Sequence, residues 1–307
     1  MSMRKLLLFA SLLLPCFGAA HAATYYACAA TGNMDTANFW GTASTGNQTC
    51  SGSDVSASWP FAANGDVFDA NGATVAVDVD PGAATGASAG VCGSVTVTVT
   101  LQSNATYTGG FTYATATNIV MHANVTGSKS VGLTITGSTG GGTICGNTQG
   151  GSVGGSSTYA VSDAHTSVTI YVIGSLTGGT ANGGDGYYFS GGSGSLSVTG
   201  NATGAGTNAP GLMLTGAGTG TITGNCTGSA TSSTDNVPGC WANSTGALTV
   251  IGNIINNLGQ AGATGRILYK PAMGNYILYP ADSSYTTGVI NSHATLVRVP
   301  RNYGTAH

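Results

Sequence analysis

Asp66, Asp69 and Asn71, followed by Asp78 and Asp80, are the densest set of oxygen ligands in the chain. Oxygen ligands at alternate positions are what a calcium loop uses, together with Gly at its sixth position and a bidentate Glu at its twelfth. Here Gly72 falls at the fourth position counted from Asp69, and the sequence contains no Glu. Asp66, Asp69 and Asn71 therefore stand as calcium candidates against a plainer reading as solvated turn and strand residues. Glycoside hydrolysis needs two carboxyls about 5–9.5 Å apart. Only Asp163, Asp185 and Asp235 lie in the middle of the chain. In the alignment given below, Asp163 and Asp185 are offset by about 20 Å along a strand, too far for a catalytic pair. Lys129 is the sole Lys or Arg between Lys5 and Arg266, which leaves a β-elimination lyase without its base. Gly86-Ala-Ser-Ala-Gly90 has the spacing of a nucleophile elbow, but with 51 Gly in the chain that spacing arises by chance. His122 and Cys145 share a column of the repeat and are expected to face outward, as a surface His beside a disulfide or thiol rather than a metal pair. No catalytic residue and no cofactor is assigned, and the chain reads as non-enzymatic.

The elements that position these groups come from a repeat. Gly146-Asn147, Gly174-Ser175, Gly200-Asn201, Gly224-Asn225 and Gly252-Asn253 are one position seen five times, at steps of 28, 26, 24 and 28, and Ala123-Asn124 extends it by 23 upstream. Two residues before the Gly stand Met121, Ile144, Val172, Val198, Ile222 and Val250, all apolar, with mostly polar residues between these and the next apolar column. Alternation of period two marks a strand with one buried face. A second column begins with a small residue and continues with apolar ones, at Gly132, Thr158, Gly186, Gly211, Gly239 and Gly265. Two columns that drift together, with a unit of about 25 residues, predict an all-β parallel β-solenoid with two strands per coil. Asn tolerates left-handed backbone, and stacked amides can bond along the axis, so Asn124, Asn147, Asn201, Asn225 and Asn253 are expected to form a structural ladder with a gap at Ser175. That geometry also accounts for the glycosylation sequons at Asn124, Asn201 and Asn225 without a sugar.

Residues 1–22 read as a signal peptide: Arg4 and Lys5, the apolar run from Leu6 to Leu14, and Ala20-His21-Ala22 as the cleavage site. Residues 23–90 are expected to cap the solenoid, 91–265 to form it, and 266–307 to close it with Tyr, Pro and four of the basic residues. No transmembrane segment is expected, and the protein should be secreted to the periplasm, the cell surface or the medium. In an oxidising compartment Cys28, Cys50, Cys92, Cys145, Cys226 and Cys240 are disulfide candidates, with Cys28–Cys50 and Cys226–Cys240 the nearest neighbours in sequence and the pairing left open. Only 6% of residues are charged and the formal net charge is -3, which argues against nucleic acid as a partner.

The run Thr24-Tyr-Tyr, Gly32-Asn33, Phe39-Trp40, Trp59-Pro60 and Gly65-Asp-Val-Phe-Asp-Ala-Asn-Gly72 resembles the start of Gly-rich β-helix surface and appendage proteins of bacteria and bacteriophage. More distantly, the chain is similar to pectate-lyase-like right-handed β-helices. The resemblance implies a right-handed β-helix with a surface, appendage or adhesive role and carries over no catalytic residue. The expected function is a secreted structural or adhesive protein whose partner is a carbohydrate or a cell-surface protein. A β-helix polysaccharide lyase or hydrolase, and a phage-derived appendage, are the alternatives.

Overall fold

The chain winds as a parallel β-solenoid of about 5 turns, with coils about 26 residues apart. This is a computed structural model, and it describes residues 22–52, 62–129, 131–153, 158–180, 183–207, 209–229, 236–237, 239–242 and 248–252, with strands at 254–255, 257–258, 268–269, 274–279 and 294–298. The signal segment, Trp59, Asp235, Asn253 and most residues after 258 lie outside the described residues.

Each coil contributes to three sheets rather than the two expected. Sheet one stacks Gly142–Cys145, Thr169–Ile173, Ser195–Thr199, Thr219–Thr223 and Leu248–Ile251 on the start of Val120–Thr126. Past the corner glycine, sheet two stacks the short strands Thr148–Gln149, Leu176–Thr177, Ala202–Thr203 and Cys226–Thr227. Among the described residues sheet three has nine strands, from Thr31–Asn33 through Gly110–Ala114, Val161–Asp163 and Tyr187–Phe189 to Leu268–Tyr269. Inward columns meet on the axis. Met121, Ile144, Val172, Val198 and Ile222 face in from sheet one, and Phe111, Leu133, Val161, Tyr187 and Leu212 from sheet three. Gly142 interrupts the apolar series because the Tyr113 hydroxyl fills the place of its missing side chain. That hydroxyl lies 2.8 Å from the Ile119 carbonyl.

The corner makes the coil possible. Gly146, Gly174, Gly200, Gly224 and Gly252 have φ of +151°, +152°, +141°, +145° and +150°, which L side chains rarely adopt. A Cβ on any of them would run into the carbonyl oxygen of the corner residue one coil below. Backbone bonds continue across the bend, as from Gly146 N–H to Ile173 O at 3.0 Å and from Thr148 N–H to Ser175 O at 2.9 Å. The N–H between them leaves the ladder, and the amide of the Asn one coil below accepts it. Asn147 N–H donates to Asn124 Oδ1, Ser175 N–H to Asn147 Oδ1 and Asn225 N–H to Asn201 Oδ1, each at 2.9 Å. The bonds run from side chain to backbone rather than from amide to amide. Among the described residues no such bond joins Ser175 to Asn201, because the shorter hydroxyl replaces the amide there.

The parallel sheets begin ahead of residue 91, inside the stretch expected to be the N-terminal cap. Thr24–Ala27 stacks on Val67–Asp69, which stacks on Val99–Gln102. Thr31–Asn33 stacks on Thr74–Val77, which stacks on Gly110–Ala114. What covers the free edge of sheet two is the antiparallel strand Trp40–Gly41 against Thr24–Ala27. Trp40 is fully buried, donates from Nε1 to Met34 O at 2.8 Å and meets the Phe68 ring edge-on at 5.1 Å. At the other end, parallel pairing continues into the expected C-terminal cap through Gly274–Tyr279 and Ala294–Arg298. Disulfides join Cys28 to Cys50, Cys92 to Cys145 and Cys226 to Cys240. The Thr-rich run from Val95 does not form one strand. Ser94–Val97 pairs with Ala83–Thr85 in an antiparallel hairpin outside the coil, and Val99–Gln102 enters sheet two.

If the corner governs stability, Gly174→Ala should cost about 3 kcal/mol or more, through both the backbone conformation and the blocked approach. Ser175→Asn should add about 1 kcal/mol by supplying the missing acceptor for Asn201 N–H. Urea unfolding monitored by circular dichroism measures both changes, and a neutral Gly174→Ala would contradict the packing of the corner.

Candidate functional site

Most of the candidate chemical groups are held by protein partners. Asp66 accepts from Ala23 N–H at 2.9 Å and Ala63 N–H at 2.7 Å, tying the start of the first strand to the loop before Val67. Asp69 accepts from Asn71 N–H at 2.7 Å and from Gln102 Nε2 at 3.3 Å, and its burial raises its pKa. Asn71, completely buried with φ +49°, turns its amide nitrogen to the carbonyls of Ala27, Gly46 and Thr49 and its oxygen to the Ser44 hydroxyl. These bonds bind the antiparallel hairpin of Ala43–Gly46 and Thr49–Ser51 to the first coil. Among the described residues no group of three or more His, Cys, Asp or Glu is placed to hold a metal.

His122 and Cys145 are register neighbours in sheet one, but both are buried rather than exposed. The hairpin of residues 83–97 lies over them on the outside of the coil. Cys92 bonds to Cys145, and Gly90 N–H donates to Thr143 Oγ1 at 2.8 Å. His122 sits beneath, with Nδ1 2.6 Å from Asp80 Oδ2 and Nε2 2.7 Å from the Cys92 carbonyl. A carbonyl only accepts, so Nε2 carries a proton there. Asp80 also accepts from His122 N–H at 2.8 Å. The side chains thus clamp a strap to the solenoid, and sequence gave no sign of the contact because 42 residues separate Asp80 from His122.

A second polar group lies inside the coil. Asp163, His165 and Tyr187 are fully buried. His165 Nδ1 lies 2.7 Å from each Asp163 oxygen, and the Tyr187 hydroxyl donates to Asp163 Oδ2. Burial first, and then the Asp163 charge, hold the Tyr187 hydroxyl well above its ordinary pKa. His165 lies past the end of strand Val161–Asp163, where its N–H donates to Asp163 Oδ1 at 2.9 Å, so a local Asx-type turn rather than strand alternation brings the two side chains together. The register also corrects the offset between Asp163 and Asp185. Sheet three pairs Val161 with Tyr187, so Ala160 and not Thr158 matches Gly186. Cys240 pairs with Leu268, which moves the last unit off Gly265 by two residues as well. A slip of two preserves every inward and outward position, so alternation cannot detect it. Asp163 and Asp185 are then four residues apart in register, about 13 Å along the strand, and both are buried.

The outward positions are chemically simpler. Sheet one presents a grid of hydroxyls at Ser195, Ser197, Thr199, Thr219, Thr221 and Thr223, with Ser195 Oγ 3.0 Å from Thr219 Oγ1 across adjacent coils. Sheet three presents Thr112, Thr134 and Ser162, then Tyr188, Met213 and Trp241. Neither grid holds a carboxylate, imidazole or amine among these residues. No helix among the described residues is long and apolar enough to cross a membrane. No protein-family model, curated protein or solved structure matches the chain.

Two predictions follow from these buried groups. Burial lifts the Asp185 carboxyl from 3.8 to about 8. Its folded pKa exceeds its unfolded one, so the fold favours the protonated form. The contribution of Asp185 to stability is therefore fully present below about pH 4 and is lost by about pH 8, a change on the order of 5 kcal/mol. Asp185→Asn should remove this share of the pH dependence, as measured by urea midpoints at acidic and neutral pH, and an unchanged slope would contradict it. Breaking Cys92–Cys145 with Cys92→Ser should speed amide exchange at His122 and Cys145 while leaving Val198 and Ile222 protected. Equal exchange in both regions would show that the strap is not a local clamp.

Proposed function

We propose that this chain is an exported, non-catalytic solenoid that acts as a structural or adhesive surface protein, with a carbohydrate or another surface protein as its partner. One observation carries the reading. Apart from the exposed Asp35 and the partly buried Asp78 beside it near the N-terminal end, the described carboxylates and imidazoles are buried, or paired with backbone and with each other, whereas the outward columns of two sheets offer hydroxyls and aromatic rings. A polysaccharide lyase or hydrolase needs acid and base groups converging on solvent, while adhesion needs a repetitive, rigid exterior. The three disulfides fit a non-cytoplasmic, oxidising compartment. The likeness of residues 24–72 to Gly-rich β-helix surface proteins points the same way.

The test is a paired assay on the secreted protein. It should be retained on intact cells or immobilised polysaccharide, and it should release no reducing or unsaturated sugar ends from a polysaccharide panel, with or without calcium. Turnover of any member of the panel would overturn the non-catalytic reading, and a protein retained on no surface would overturn the adhesive one.

A further inference from the structure

The adhesive reading leaves the binding surface unnamed, and the inference here rests on that reading and gives it a site. Along the outward column of sheet three, the side chains change character halfway. Thr112, Thr134 and Ser162 occupy the earlier coils, and Tyr188, Met213 and Trp241 take the same register position in the next three. All three large side chains are partly exposed. The adjacent outward positions Ser190 and Thr215 remain small and polar, so the row is a ridge of rings and thioether bordered by hydroxyls.

Two contacts fix the ridge. Tyr159 stacks on Tyr188 with centroids 4.6 Å apart and planes 18° from parallel. Thr215 Oγ1 donates to the Tyr188 hydroxyl at 3.4 Å. Like positions recur about every 4.8 Å along the axis, so the row from Tyr188 to Trp241 runs about 10 Å in one line. Charge selects the ligand class. From Gly110–Ala114 to Cys240–Ala242 no Asp, Glu, Lys or Arg occupies an outward strand position of this sheet. A charged polymer would lose hydration there without gaining an ion pair. An uncharged sugar chain can lay its C–H faces on the rings and give its hydroxyls to the Ser and Thr border. We infer that Tyr159, Tyr188, Met213 and Trp241 form a platform for a linear neutral polysaccharide lying along the solenoid axis.

Titration of the full protein with neutral cello-, xylo- and manno-oligosaccharides, with polygalacturonate as the anionic contrast, tests this by tryptophan fluorescence and calorimetry. At least one neutral series should bind and polygalacturonate should not. Tyr188→Ala and Trp241→Ala should each weaken binding at least about tenfold, and Tyr188→Phe and Trp241→Phe should retain it. Thermal unfolding of the same variants separates lost binding from lost packing. Chemical-shift changes on the unmodified protein supply a readout that needs no variant, and they should centre on 187–189, 212–214 and 240–242. Folded Ala variants with unchanged affinity, shift changes elsewhere, or a preference for polygalacturonate would overturn the platform. So would a protein that adheres to cells yet binds no neutral series, and in that case the adhesive reading survives. Failure to adhere to any surface would overturn both.

Discussion

Close approach of backbone to backbone at the corner governs the rest of this solenoid. Each corner glycine rides on the carbonyl of the corner residue beneath it, at a φ near +150° and with no space for a Cβ. The bend separates sheet one from sheet two and removes one N–H per coil from the ladder. The stranded N–H sits at an exposed corner, where it is left to water unless a side chain takes it, and Asn has the reach and the carbonyl to supply an acceptor from the coil below. Thus Gly-Asn is a paired solution, one residue for the bend and the next for the N–H that the bend strands. The coil beneath Gly146 shows the converse. Val120–Thr126 runs unbroken through Ala123, which stacks on Val99 within a continuous strand and not on a corner.

Once the coils are stacked, the interior accepts little that is polar, and much of what it holds is paired locally, although His165 Nε2 and the Thr115, Thr148 and Thr158 hydroxyls have no partner among the described residues. Asn71 gathers three carbonyls of the cap, Asp80 and His122 secure the strap, and Asp163 holds His165 and Tyr187 inside the coil. These contacts stabilise and position elements, leaving the outside of the sheets as the surface that faces other molecules. The strap covers the first coils of sheet one, so the open hydroxyl grid begins beyond it, and the aromatic row of sheet three occupies the later coils. The two ends of the rod therefore differ in chemistry although they share one backbone pattern.

The parallel solenoid and the register of sheet one were legible in the sequence because Met121, Ile144, Val172, Val198, Ile222 and Val250 alternate without a slip and, after Met121, end at a fixed glycine. Sheet three was legible only up to a shift of two, since Thr158 and Ala160 point the same way and period-two patterning is blind to that shift. Sheet two was missed as a separate sheet because its strands are two residues long in most coils, too short to show alternation. The strap was hidden in a Thr-rich run whose halves, Ser94–Val97 and Val99–Gln102, have like composition but separate partners. Contacts such as Asp80 with His122 depend on which loop returns to which coil, and no local pattern encodes that.

Residue-resolved amide exchange by NMR tests the corner most directly, because the Asn acceptors make an uneven pattern that backbone pairing alone does not. The N–H groups of Asn147, Ser175 and Asn225 should exchange as slowly as those of the flanking strands, while Asn201, which follows Ser175 and lacks an amide beneath it, should exchange much faster. Fast exchange at Asn147, Ser175 and Asn225, or equal protection at all four positions, would contradict the account.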